Sequence, residues 1–195
     1  RTDIEALLTM GLPNSPMHGS RLKVQSGNYV TAKPIGIRDG IDLGHTGEVR
    51  RIDCDAIQNQ LELDGIVLLP PLGYSLTGEV FNLSAEDLAS HTAVSLNADK
   101  LIFMGPQAGA IDEDGQLIRE LNTHEAAWII AAGNQSEEVL RYLRAASDAC
   151  NAGIDRAHLV NSTLDGALLA ELYTRDGSGT LVTIKSFEQT RPALI

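Results

Sequence analysis

Short aliphatic runs, Ile66–Leu69, Lys100–Met104, Ala157–Val160 and Leu181–Ile184, recur between longer stretches of helical period. This alternation constrains the fold more than any other feature of the chain. A buried strand followed by a helix builds βαβ units, in which strands pair in parallel and helices cover the sheet. The punctuation agrees. Asp53 caps a helix running to about Leu63, with Ala56, Ile57 and Leu61 on one face, and Gly65 ends it. Ser84-Ala85-Glu86-Asp87 has capping-box spacing with Asp in place of Glu, and Leu88, Thr92, Ala93 and Leu96 continue that helix. His124–Ala132, Ser136–Asn151 and Asp165–Tyr173 read as further helices, and Gly153 and the Gly177-Ser178-Gly179 turn as stops. Arg21–Ser26 and Asn28–Lys33 read as strands joined by a turn around Gly27, Glu48–Ile52 as another, and Ile111–Leu121 as a hairpin turning at Asp114-Gly115. The expected fold is α/β, a three-layer sandwich with a mainly parallel sheet. Ligands in such sheets bind beyond the carboxyl ends of the strands, which directs attention to the loops after Leu69, Met104 and Val160.

Charge narrows the function. The 195 residues hold 15 Lys plus Arg against 26 Asp plus Glu, a formal net charge of −11. A nucleic-acid binder needs a basic stripe to neutralise phosphates, and an anionic membrane surface asks for the same. No apolar run approaches the ~20 residues of a membrane-spanning helix. Cys54 and Cys150 stand far apart without metal-ligand spacing, as expected of a reducing cytoplasm. The chain opens Arg1-Thr2-Asp3 and enters the amphipathic stretch Ile4–Leu8 at once, which reads as a fragment or processed product.

Familiar catalytic patterns fail on single residues. Gly73-Tyr74-Ser75-Leu76-Thr77 lacks the last glycine of a nucleophile elbow, so Ser75 reads as a loop residue. His124-Glu125-Ala126-Ala127-Trp128 places Trp128 where a zinc helix needs its second His. The remaining histidines are scattered, and His158 reads as a core or sheet-edge histidine. Asp112-Glu113-Asp114 reads as a solvated hairpin tip, and Arg50-Arg51 as surface charge. No phosphate-cradling glycine loop is present, and neither a catalytic residue nor a metal ligand is assigned.

Two segments resist dismissal. In Thr77–Asp87, Asn82 and a capped helix start lie just past a buried strand, an arrangement equally suited to an ordinary cap or to a small carboxylate ligand. In Asp165–Thr180, Glu171 closes a helix ahead of a Gly-x-Gly turn. A carboxylate at a helix C-terminus opposes the dipole, so a cation would relieve it. A surface pair with Arg175 is the plainer reading, and a guanidinium or ammonium ligand the sharper one.

These segments, together with Val24–Val30 and Gly47–Asp53, resemble the bacterial-type N-acetylglutamate synthases, in particular their N-terminal amino-acid-kinase-like domain. The similarity runs over nearly the whole chain in unbroken order. It implies an amino-acid-kinase-like (carbamate-kinase-like) fold over residues 1–195, incomplete at its N-terminus. A glycine-rich opening would precede Arg1, and an acetyltransferase domain would follow Ile195. It further implies a parent enzyme that acetylates L-glutamate from acetyl-CoA in the first step of arginine biosynthesis, with L-arginine as allosteric ligand. A cytoplasmic homo-oligomer is expected, with no cofactor held by this stretch, since acetyl-CoA belongs to the other domain.

Residue by residue, Glu171 and Gly177 fall on the Glu and Gly that hold arginine in sensitive members, with Leu172 and Gly179 beside them. Asn82 and Glu86 fall on a vestigial acetylglutamate site. The related kinases have an ATP-orienting lysine where this chain has Tyr142, and a Thr-Asp pair where it has Gly105-Pro106. Losing that cation removes charge stabilisation of a transferring phosphoryl group. An acetylglutamate kinase and a ligand-free assembly domain stand as the alternatives.

Overall fold

In the computed structural model, which describes residues 1–15, 18–174 and 177–184, the chain divides into two units, Arg1–Leu88 and Ala89–Ile195. The first holds α1 (Thr2–Leu8), β1 (Lys23–Gln25), β2 (Val30–Pro34), β3 (Ile37–Arg38), β4 (Ile41–Asp42), β5 (Gly47–Ile52), α2 (Cys54–Leu61), β6 (Gly65–Val67), β7 (Leu72–Tyr74) and β8 (Val80–Asn82). Helix α3 (Ala85–Leu96) contains the point of division. The second unit continues with β9 (Leu101–Gly105), β10 (Glu120–Asn122), α4 (Thr123–Ala132), α5 (Glu137–Asn151), β11 (Ala157–Asn161), α6 (Ala167–Tyr173) and β12 (Thr180–Thr183).

In the first unit a four-stranded sheet has the order β5-β2-β7-β8, with β2 parallel to β7 and the outer pairs antiparallel. The link from β7 to β8 is too short for a crossover, which forces an antiparallel hairpin. β1 does not pair with β2 across Gly27; it pairs in parallel with β6, the strand after α2. Asp53 caps α2 through Ala56 N, as expected. Only Ile57 of the proposed face is buried, and Leu61 is exposed. Asp64, with φ 56°, turns the chain, and Gly65 already begins β6. The β3–β4 hairpin is an addition to the expected elements, although Asp39-Gly40, both at positive φ, is the turn pair such hairpins favour.

In the second unit the order is β10-β12-β11-β9. β12 runs parallel to β10 and antiparallel to β11, and β9 runs parallel to β11. The sheets are therefore mixed. The hairpin expected over Ile111–Leu121 narrows to a bridge between Ile111 and Leu117, because Glu120–Asn122 pairs with β12 instead.

Alternation along β11 divides the two faces of this sheet. Ala157 and Leu159 join Leu143, Ala146, Ala149 and Cys150 of α5 in the core. His158 points to the other face, where α6 brings Glu171 to it. Helices thus cover both faces of this sheet. Helix α4 begins at a capping box formed by Asn122 and Glu125, which accounts for the Glu that follows His124.

Candidate functional site

Helix α6 starts later than the sequence suggests. Gly166, at φ 76°, is its N-cap, and the buried Ala167 is its first residue. Its last turn carries Glu171 inward, where side-chain exposure falls to 5%. Both carboxylate oxygens are engaged. Oε1 lies 2.7 Å from His158 Nδ1. Oε2 accepts the backbone amides of Ser178 at 2.6 Å and Gly179 at 2.8 Å.

The turn that supplies those amides is built to reach the carboxylate. Gly177 adopts φ +63°, and a Cβ there would sit 2.6 Å from Glu171 Oε2. At Gly179 a Cβ would overlap the carbonyl oxygen of Leu159 in β11. The Ser178 hydroxyl donates to Ala167 O at 2.7 Å, and Arg119 Nη1 donates to Gly177 O at 3.2 Å. Thr180, fully buried at the start of β12, donates to Ile118 O and accepts from Ala110 N. The glycines are therefore required by the fold itself.

Electrostatics follow from these contacts. Burial pushes the Glu171 carboxyl upward. The hydrogen bond to His158, the two amides and the nearby imidazole outweigh burial and hold it below the ordinary carboxylate value. A carboxylate offers about four acceptor positions, and three are filled here. His158 is 8% exposed at its side chain, and its Nε2 is buried without a hydrogen-bond partner among the described residues.

Of the four residues assigned to a cation site, the structure brings together Glu171, Gly177 and Gly179, while Leu172 stands 36% exposed on α6. Arg175, the in-chain partner considered for Glu171, lies outside the described residues. The partner found is His158, thirteen residues upstream, whose sequence context suggests no more than a core histidine. The one signal for it is a polar residue in an otherwise apolar strand.

The other pair is less developed. Asn82 ends β8 exposed, with its backbone N–H donating to His45 O at 2.8 Å. Glu86 accepts from the Ser84 hydroxyl at 3.1 Å in the first turn of α3, and that same hydroxyl receives Asp87 N. Glu86 is thus engaged in local capping.

At the carboxyl end of β9, Tyr142 covers Gly105. A Cβ at Gly105 would meet Tyr142 Cε2 at 2.6 Å. The tyrosine ring stacks on Phe103 at 5.3 Å, and its hydroxyl donates to Glu138 at 2.9 Å. An aromatic plug thus fills a position where a doubly wound sheet commonly receives ligand.

The amino acid kinase family model matches residues 3–161. The amino-acid acetyltransferase of Pseudomonas fluorescens (strain SBW25) is 51% identical over the whole chain, and that of Azotobacter vinelandii is 54% identical. In both the match covers 45% of the relative, so this chain spans less than half the length of the curated relatives it matches. Among solved structures, N-acetylglutamate synthase from Neisseria gonorrhoeae complexed with coenzyme A and L-arginine superposes with a TM-score of 0.87. The identity is 36%, over 95% of this chain and 43% of that one. The same enzyme with coenzyme A and N-acetyl-glutamate gives 0.81, at 38% identity over 87% of this chain and 39% of that one. Carbamate kinase from Giardia lamblia, at 14% identity and a TM-score of 0.60 over 84% of this chain and 63% of that one, shares the fold.

Proposed function

The chain belongs to the amino acid kinase family, and from that premise we propose that it is the C-terminal part of the kinase-like domain of an N-acetylglutamate synthase. Its parent transfers acetyl from acetyl-CoA to L-glutamate, opening arginine biosynthesis in the cytoplasm as a homo-oligomer. This stretch binds L-arginine and carries its regulatory signal. The observation that supports the reading most is the Glu171 carboxylate, held at the end of α6 by His158, Ser178 and Gly179 with an acceptor position to spare. A cation there also relieves the unfavourable dipole of the helix terminus. Likeness to a synthase solved with L-arginine adds to it.

Arginine that binds one domain arrangement better than another shifts the balance by its differential affinity, and that difference is the inhibition. Asn82 and Glu86 are the remnant of an acetylglutamate site. Phosphoryl transfer is disfavoured because Tyr142 stands over Gly105, the two positions at which the resemblance places the kinases' ATP-orienting lysine and Thr-Asp pair. A thermal-shift titration with L-arginine tests the assignment, with acetylglutamate and ATP–magnesium as controls. A ligand confined to the folded state adds about 2.7 kcal/mol at a hundredfold excess over its Kd. A shift with arginine alone is expected. A shift with ATP and none with arginine would overturn the assignment in favour of a kinase.

A further inference from the structure

We propose that the outer face of α4 is the docking surface for residues 185–195, the segment that follows β12, and that this segment covers Trp128. After Glu125 every residue of α4 is apolar: two alanines, Trp128, two isoleucines and two more alanines. Glu125, the one Asp, Glu, Lys or Arg of the helix, is engaged in the capping box with Asn122. A surface helix keeps a polar outer face, and a helix that is apolar all round is buried all round. The inner side of α4 obeys this, since Ala126 is fully buried and Ile129 and Ile130 pack against the core. On the outer side Ala127 and Ala131 are exposed, and Trp128 is 79% exposed.

Trp128 borders a groove of about 410 Å³ between α4 and β10, the outermost strand of its sheet. Ile118, Leu121 and Ile129 supply apolar walls, and Glu120 and Glu125 bring two carboxylates. No Lys or Arg is among the lining residues. The groove therefore suits a segment that offers an apolar ring and positive charge.

β12 delivers such a segment. It runs parallel to β10 with Thr183 opposite Asn122, the N-cap of α4, so the chain past Ile184 starts beside the first turn of that helix. Phe187 stands four residues past Thr183, up to about 13 Å of extended chain. Trp128 stands six residues past Asn122, about 9 Å of helix. Phe187 can thus reach the indole, a ring that pairs well with another aromatic. Lys185 and Arg191 against Glu188 make the segment net positive in a chain of net charge −11, opposite in sign to the groove. The tether also supplies an effective concentration that a free partner lacks. A second copy would instead bring a further net charge of −11 to the same face. In the synthase reading this segment is the way out toward the acetyltransferase domain, but the docking does not depend on that reading.

Trp128 is the only tryptophan of the chain, so its emission and its quenching by acrylamide read the cover directly. In the 195-residue chain the emission should be that of a shielded indole. Phe187→Asp should shift it to the red and raise the quenching, with far-ultraviolet circular dichroism unchanged. A fully exposed indole in the wild type overturns the proposal. So does shielding that Phe187→Asp leaves in place, which assigns the cover to another part of the chain. Shielding that is lost on dilution assigns it to a second copy and overturns the proposal as well. If Phe187→Asp does not fold, Phe187→Ala takes its place with the same outcomes. L-Arginine is absent throughout, so failure here leaves the ligand reading intact, and failure of that reading leaves this one.

Discussion

His158 Nδ1 and Glu171 Oε1 lie 2.7 Å apart, with both side chains more than nine-tenths buried, so a strand residue and a helix residue share one hydrogen bond beneath the surface of the second unit. The pair explains why a carboxylate can end α6. Its charge is answered within the fold by an imidazole and two amides, and a ligand cation adds to an arrangement already in place.

Removing the carboxylate should cost stability as well as binding. Glu171→Ala leaves His158 Nδ1 and the Ser178 and Gly179 amides without their acceptor, at an expected loss of about 3 kcal/mol. Urea unfolding measures it. A loss below about 0.5 kcal/mol, the size of an ordinary surface change, would show that the pair is not buried in solution.

Acid stability should report the same group. The folded-state carboxyl of Glu171 lies below its ordinary value of 4.5. Its stabilisation is therefore complete above that pH and is lost as pH falls through the lower folded value. Unfolding free energy measured from neutrality to about pH 3 should decline less steeply in Glu171→Gln than in the wild type. Equal slopes would remove Glu171 from the acid limb.

The turn glycines should be intolerant even when arginine is absent. Gly177→Ala forces a side chain onto φ +63° and against Glu171 Oε2, at about 1–2 kcal/mol. Gly179→Ala drives a methyl into the Leu159 carbonyl and should cost more, about 3 kcal/mol. Melting curves of the ligand-free protein decide. Variants that melt like the wild type yet lose arginine would mean that the glycines serve the ligand alone.

Gly105 and Tyr142 should behave as one unit. Gly105→Ala pushes the ring off its place, whereas the same change in a Tyr142→Ala background is relieved of that clash. A double-mutant cycle should give a coupling of about 1 kcal/mol or more. Additive losses would show that the ring does not rest on Gly105.

The two thiols should differ. Cys150 is fully buried against Val182 O, and burial pushes its pKa from 9.0 to about 11. The group is neutral in the fold, so its contribution is complete below pH 9.0 and is lost as pH rises through about 11. Alkylation should reach the half-buried Cys54 first and Cys150 only on unfolding. Equal rates in the folded protein would contradict the burial of Cys150.

Local chemistry is legible along the chain because its causes lie within a few residues. Asp53, Ser84 and Ser136 cap helices as their side chains dictate, and the aliphatic runs after Lys100 and Arg156 form neighbouring strands of one sheet. Glu171, Gly177 and Gly179, singled out together on the amino-acid sequence, are also brought together by the fold. Pairing across distance is not legible. Nothing local tells β1 to prefer β6 over β2, or sets β12 antiparallel to β11, since strand partners are chosen by which apolar faces close together. The same holds for His158. A single polar residue in a buried strand has no period to announce it, and its meaning comes from a helix that returns thirteen residues later to place a carboxylate on its ring.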